Sequence, residues 1–345
     1  MGLYPTETEI GYELPFRFDL LLDFLRYRAI EGVEVVRGGC YYRTVRLEMD
    51  EAVRAAPVAR YSQSAQPLQS TQIPPDEQAS QNSHPTQPVA GWIKVVDQPE
   101  KSCLKVTVSP ELLKDLPSVL LRVRRLFDVD CSPATVETGL QDFHTRIPQS
   151  HIPGIRIPCC FDGFEMAVRA ILGQQVTVKA ANTMAGRVAA TFGSPVQLPV
   201  EGLTTAFGSP VLLPVEGLTT VFPPPLIFCT PGAAEKLGEL GVVRQRSQAI
   251  CRLAEAFCKG EIELHPGADI EKAAAGLLAI PGIGDWTVQY LLMRAFDYTD
   301  AFPATDHGVR CAFPDMKEKA LRELSGRWSP WRSYAVMSLW CTPHD

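Results

Sequence analysis

The sequence predicts a mainly α-helical chain with a small α+β domain at its N-terminal end. Three observations predict it. Two β-rich stretches, residues 33–48 and 92–110, lie close to the start of the chain. From residue 134 onward the apolar spacing becomes helical. A Pro-Gly-Ile-Gly turn at 281–284 joins two of the helical stretches. At 345 residues the chain has room for two or three domains. The boundary is expected at residue 133, giving an α+β domain over 1–133 and a helical region over 134–345.

Residues 17–30 have helical spacing. "VEVVRGGCYYRTVRLE" (33–48) reads as strand, Gly-Gly turn, strand. Residues 61–91 are rich in Ser, Gln and Pro and almost free of aliphatic side chains. Such a segment cannot bury enough apolar area to fold, so a disordered insertion is expected. Strands return over 92–110, and "ELLKDLPSVLLRVRRLFDVD" (111–130) reads as an amphipathic helix.

Residues 161–193 read as two helices that meet near Gly173. "FGSPVQLPVEGLTTA" (192–206) is then followed by "FGSPVLLPVEGLTTV" (207–221), a 15-residue unit repeated with two mismatches. Two units are too few for a solenoid. A tandem duplication in a surface loop fits better, because loop-closure entropy rises slowly with length. Helices are expected at 232–240, 244–259, 269–278, 285–296, 305–311, 316–325 and 331–341.

The totals exclude some classes. No apolar run is long enough for a transmembrane helix, and "MGLYPTETEI" has no signal-peptide pattern, so a cytoplasmic, nucleoid-associated protein is expected. The ten cysteines form no C-x-x-C and no zinc spacing with histidine, which suits reduced core thiols. The net charge of −6 argues mildly against nucleic acid, but it is an average and does not describe one face.

"LLAIPGIGDWTVQYLLMRAF" (277–296) reads helix, turn, helix. Glycines let a backbone approach a ligand closely, and a helix start favours an anion. Pro281, Gly282, Ile283 and Gly284 are therefore candidates to hold a phosphate. A plain connector between helices is the bland alternative. Trp286 and Tyr290 share a face of the second helix. Asp306, in "FPATDHGVR", opens another helix, where a negative side chain is favoured; a simple cap is the alternative there. "RWSPWRSYAVMSLWCT" (327–342) brings Trp340 late in a last helix.

On the hairpin, the downstream aspartate, the tryptophan-rich last segment, "RRLFDVDCSP" and "FDGFEMAVRAILGQQVTV", the sequence resembles the helix-hairpin-helix DNA glycosylases. Among them it is most similar to the AlkA-type 3-methyladenine DNA glycosylases II, over nearly the whole chain. The resemblance implies a helix-hairpin-helix DNA glycosylase fold in two helical lobes, with the active site between them. It implies that Asp306 is the catalytic carboxylate and that Trp286, Tyr290, Trp340, Phe24 and Gln174 line the base pocket. Gln175 would fill the duplex where the base was, though relatives carry a bulky apolar residue there. His307 and Cys341 also stand where the best-known member of the family has tyrosines. Backbone carbonyls of Leu278, Ile280 and Gly282 would hold a monovalent cation.

The implied chemistry is hydrolysis of the N-glycosidic bond of an alkylated base flipped out of double-stranded DNA. Bifunctional relatives such as endonuclease III carry a lysine where Trp286 stands, so a monofunctional enzyme is expected. No cysteine set for an iron–sulfur cluster follows the hairpin, so no cluster is expected. A monomer without membrane partners is expected. Two rival readings stand beside this one: a glycosylase for oxidised or mismatched bases, and a non-catalytic helix-hairpin-helix DNA-binding protein.

Overall fold

The computed structural model describes residues 4–47, 89–196 and 215–342. Its first part is a five-stranded antiparallel sheet. Strands β1 (Thr6–Gly11), β2 (Glu34–Arg37), β3 (Cys40–Leu47), β4 (Val89–Gln98) and β5 (Cys103–Val108) lie in the order β1-β5-β4-β3-β2. The Gly38-Gly39 turn closes the β2–β3 hairpin, with both glycines at positive φ. Helices α1 (Phe18–Arg28) and α2 (Leu116–Leu126) cover one face of the sheet. Their apolar side chains share a core with it, among them Leu21, Leu25, Val119, Val123, Tyr41, Ile93 and Val106.

Three expectations change here. Strand β1 was not foreseen. Residues 89–91 belong to β4, so the expected insertion ends earlier; its remainder, 61–88, lies outside the described residues. The helix expected at 111–130 is a 3-10 segment over Pro110–Asp115 followed by α2.

The rest is helical: α3 (Pro133–Gly139), α4 (Gln141–Arg146), α5 (Gly163–Leu172) and α6 (Val178–Phe192), then α7 (Pro225–Phe228), α8 (Ala233–Glu239) and α9 (Arg244–Cys258). The C-terminal third holds α10 (Ile270–Leu278), α11 (Asp285–Ala295), α12 (His307–Ala312), α13 (Glu318–Ser325) and α14 (Arg332–Cys341). One large apolar core runs through these helices. The mainly α fold with an α+β N-terminal part agrees with the sequence. Residues 197–214 of the duplicated segment lie outside the described residues. Its flanks pair as two short antiparallel strands, β6 (Ser194–Pro195) and β7 (Thr220–Val221), beside the end of α6.

A buried charge network joins the sheet to α5. Arg43 of β3 donates to Glu165 at 2.7 Å, and Arg169 donates to Glu165 at 3.1 Å and to Glu34 at 2.9 Å. The Tyr41 hydroxyl donates to Glu34 at 2.6 Å. Burial alone would raise the pKa of Glu34, but Arg169 and Arg43 hold it below the ordinary value.

All ten cysteines are free thiols. Five are buried, as expected, but Cys258 and Cys311 are exposed and three more are half-buried. Among the described residues, no helix is long and apolar enough to cross a membrane.

Candidate active site

The hairpin is built locally. Asp269 caps α10 by accepting from the Lys272 N–H at 3.0 Å, and the chain turns after Leu278. Gly282 sits at φ +98°, where a side chain would be strained. Gly284 is extended (φ −108°, ψ 177°), and a Cβ there would meet nothing within 4 Å. It is needed for the open space beside it, not for its backbone angles. Ile283 faces inward: its side chain is buried and its N–H donates to Ile280 O at 3.0 Å. Of the turn's expected phosphate donors, this leaves the N–H groups of Gly282 and Gly284, since proline has none.

Helix α11 begins at Asp285, so Trp286 lies in its first turn and Tyr290 one turn later. Their rings stack at 5.3 Å between centroids. Tyr290 meets Trp340 of α14 at 6.0 Å, and Trp340 stacks on Phe24 of α1 at 6.2 Å. The four rings form one row. Trp286, Tyr290 and Trp340 are half-exposed, while Phe24 is buried.

Asp306 caps α12 and lies against this row. Its Oδ1 accepts from Gly308 N at 2.9 Å, from Val309 N at 3.3 Å and from Trp340 Nε1 at 2.8 Å. Its Oδ2 accepts from Trp286 Nε1 at 3.0 Å. Four N–H donors fix the orientation of the carboxylate. Asp306 as a residue is half-exposed.

Three further residues complete the arrangement, and sequence reasoning missed them. Gly308 lets Trp340 approach: a Cβ there would lie 2.8 Å from Trp340 Cδ1. Buried Arg294 donates to the Tyr290 hydroxyl at 2.7 Å and sets its direction. Arg28 lies 3.7 Å from the centroid of Phe24, with Arg294 at 4.9 Å. Burial, with the nearby cations Arg294 and Arg169, pushes Arg28 down to about 10. Phe24 is therefore engaged by Trp340 and two guanidinium groups. It buttresses Trp340 and is not a free platform for a base. The spacing of Gly308 two residues after an aspartate was a readable signal; the arginines gave none.

Residues 7–162 match the AlkA N-terminal domain family. The "Probable bifunctional transcriptional activator/DNA repair enzyme AlkA" of Mycobacterium tuberculosis is 33% identical over 334 residues, covering 95% of this chain and 55% of that protein. The DNA-3-methyladenine glycosylase 2 of Escherichia coli is 29% identical over 340 residues, 96% of each chain. The chain is thus similar along nearly its whole length to AlkA-type DNA glycosylases, and its first part matches the AlkA N-terminal domain family. It spans about half the length of the first relative and nearly all of the second. The fold is shared with the solved 3-methyladenine DNA-glycosylase from Archaeoglobus fulgidus, at a TM-score of 0.67 and 17% identity, over 96% of this chain and 97% of that one.

In this chain, Gln174 and Gln175 take different positions from the aromatic row. The Gln174 side chain donates to Gly282 O at 2.9 Å and to Thr287 Oγ1 at 3.0 Å, so it braces the hairpin from the end of α5. Gln175 is exposed at φ +54° on the α5–α6 turn, with Val176 exposed beside it. Arg246 of α9 holds the turn by donating to the carbonyls of Leu172 and Gln174.

The expected cation cage draws on carbonyls that the hairpin also uses, and each carbonyl oxygen keeps a second lone pair for an ion. The Ile280 carbonyl accepts from Ile283 N and the Gly282 carbonyl from Gln174 Nε2. Two of its three oxygens thus already serve the hairpin's own hydrogen bonds. No chemistry is routed through a cation here.

Proposed function

We propose that the chain is a monofunctional DNA-3-methyladenine glycosylase II, acting in base-excision repair of duplex DNA. One observation carries this reading: the carboxylate of half-exposed Asp306, fixed by two indole and two backbone N–H groups, beside a row of aromatic rings. A DNA-binding module would need neither the carboxylate nor the rings.

The mechanism follows from that geometry. The turn at Gly282 and Gly284 holds a backbone phosphate, and the damaged nucleotide leaves the stack, with Gln175 and Val176 entering the gap. The base stacks along the outer side of the row, because Trp286 and Tyr290 at 5.3 Å leave no room for a ring between them. The C1′–N bond breaks and its electron pair leaves with the base. A purine alkylated at N3 or N7 carries a positive charge, so it departs neutral without a proton donor. Positive charge grows on the sugar, and the Asp306 carboxylate stabilises it. Water adds its oxygen to C1′ and loses a proton to Asp306 Oδ2 or to solvent. Oδ1 already accepts three hydrogen bonds, so Oδ2, with one, is the oxygen able to orient that water. The product is an intact strand with an abasic site.

The reading includes a monomer acting on DNA in the cytoplasm, at the nucleoid. It is tested by incubating the protein with methylated duplex and separating the released bases by chromatography. Release of 3-methyladenine and 7-methylguanine supports it. Release only from oxidised or mismatched duplexes, or binding without release, overturns it.

A further inference from the structure

Glu137, His144 and His151 lie outside the aromatic site and have no part in the chemistry above. Glu137 is on α3, His144 is on α4, and His151 follows the 3-10 turn Pro148–Ser150. Glu137 Oε1 is 2.6 Å from His151 Nε2 and 3.3 Å from His144 Nδ1. The two imidazole rings lie 4.2 Å apart between centroids, tilted by 36°. One ligand atom from each residue lies within 4.8 Å of the other two; among the described residues no other trio of His, Cys, Asp or Glu does this.

We infer that these three side chains form a binding site for a divalent transition-metal ion of the zinc class. Zinc bonds to imidazole nitrogen and carboxylate oxygen are about 2.0–2.1 Å long, so tetrahedral ligand atoms stand roughly 3.3 Å apart. The His144–Glu137 spacing already has that value, and the His151–Glu137 spacing reaches it by a shift of under about 1 Å. Two nitrogens and one oxygen suit zinc, nickel or cobalt. They do not suit calcium or magnesium, which take oxygen ligands, or copper(I), which takes sulfur.

The residues that carry the donors are held in place. The His144 N–H donates to Leu140 O at 2.9 Å, and the His151 N–H to Pro148 O at 3.1 Å. Phe143, beside His144, is fully buried edge-on against Trp328. Ser150, beside His151, is buried and hydrogen-bonded to Thr342 at 2.9 Å. The side chains of Glu137 and His151 are 45% and 39% exposed, so an ion reaches them from solution. Three protein ligands leave one position for water. Binding would clip α3 and α4 to the loop of His151, whose neighbour Ser150 is hydrogen-bonded to Thr342 just past α14, the helix that carries Trp340.

The test is a cobalt(II) titration of the whole chain near neutral pH. The chain carries Cys229→Ser, Cys258→Ser and Cys311→Ser, because exposed Cys311 lies 3.6 Å from His307 and Cys229 lies 3.9 Å from Cys258. The expected result is saturable binding of one equivalent. Visible cobalt bands appear without a thiolate charge-transfer band, and zinc displaces the cobalt. Glu137→Gln and His151→Ala, both at exposed positions, each weaken binding roughly tenfold or more. Zinc raises the melting temperature of the parent and of neither variant. Absence of saturable binding, binding that both variants retain, or binding that disappears with the three cysteines would overturn the inference.

Discussion

Trp340 Nε1 donates to Asp306 Oδ1 at 2.8 Å, joining the last helix to the cap of α12 across 34 residues. With the matching bond from Trp286, it makes the two indoles hydrogen-bond donors as well as aromatic surfaces. Trp340→Phe keeps most of the ring and removes the N–H. Losing one hydrogen bond to a charged group at a half-exposed position costs about 1–2 kcal/mol, so single-turnover release of 7-methylguanine should slow roughly five- to thirtyfold. Asp306→Asn should slow it by about 10²–10⁴-fold with duplex affinity retained. Near-normal turnover in Asp306→Asn would remove Asp306 from the mechanism.

Gly308→Ala places a methyl group 2.8 Å from Trp340 Cδ1 and 3.3 Å from Asp306 Oδ1. The indole must move, and its bond to Asp306 lengthens. We expect base release to fall by about tenfold, the scale of one weakened charged hydrogen bond, while thermal unfolding shifts little. Unchanged kinetics would show that Trp340 can relax without losing the carboxylate.

The two turn glycines should separate folding from binding. Gly282→Val puts a β-branched residue at φ +98° and should destabilise the protein by about 1–3 kcal/mol, measured by denaturant unfolding. Gly284→Val is compatible with its backbone and meets open space. It should leave stability almost unchanged while weakening duplex binding equally for all sequences. A loss confined to certain base contexts would contradict the phosphate assignment.

Trp286 stands just past the hairpin, and no lysine lies between Lys272 and Lys317. No amine is therefore supplied near C1′ by this stretch. The product strand should break only after hot alkali, and borohydride should trap no protein–DNA adduct. A trapped adduct with strand cleavage at neutral pH would place a nucleophilic amine in the site from elsewhere.

Glu34 is buried and its pKa is held below the ordinary value despite burial, because Arg169 and Arg43 outweigh the cost of desolvation. A lowered carboxylate pKa contributes stability above its unfolded value, and that contribution fades as pH falls through the folded value. Glu34→Gln leaves two buried guanidinium groups short of a partner. It should cost about 3–5 kcal/mol at neutral pH. The gap to the parent should narrow as pH drops below the ordinary glutamate range. A gap that is constant with pH would mean that Glu34 is not ionised in the fold.

The helices of the C-terminal third were legible to within about two residues at each end, because apolar spacing marks them locally. Asp269, expected as the first residue of its helix, instead caps α10, and Gly284 precedes α11 as expected. Strand β1 was not legible: of "TETEIG" only Ile10 is buried, so the period-two apolar signal is missing. The aromatics and Asp306 could be picked out by type and order, and the fold brings them into contact. What each atom does could not be read. Whether an indole offers its face or its N–H depends on how α14 crosses α12, which is a property of packing. The arginines around Phe24 were invisible for the same reason, since helices α1 and α11 meet only in the folded chain.

The ion pairs between β2–β3 and α5 limit how this architecture can be cut down. A helical fragment lacking the sheet would leave Glu165 and Arg169 at a raw surface, without Arg43 and Glu34. A shortened version should keep or replace both α5 residues together, since they pair with each other at 3.1 Å and changing either alone leaves the other without its neighbour. Trimming experiments should therefore treat positions 165 and 169 as one unit.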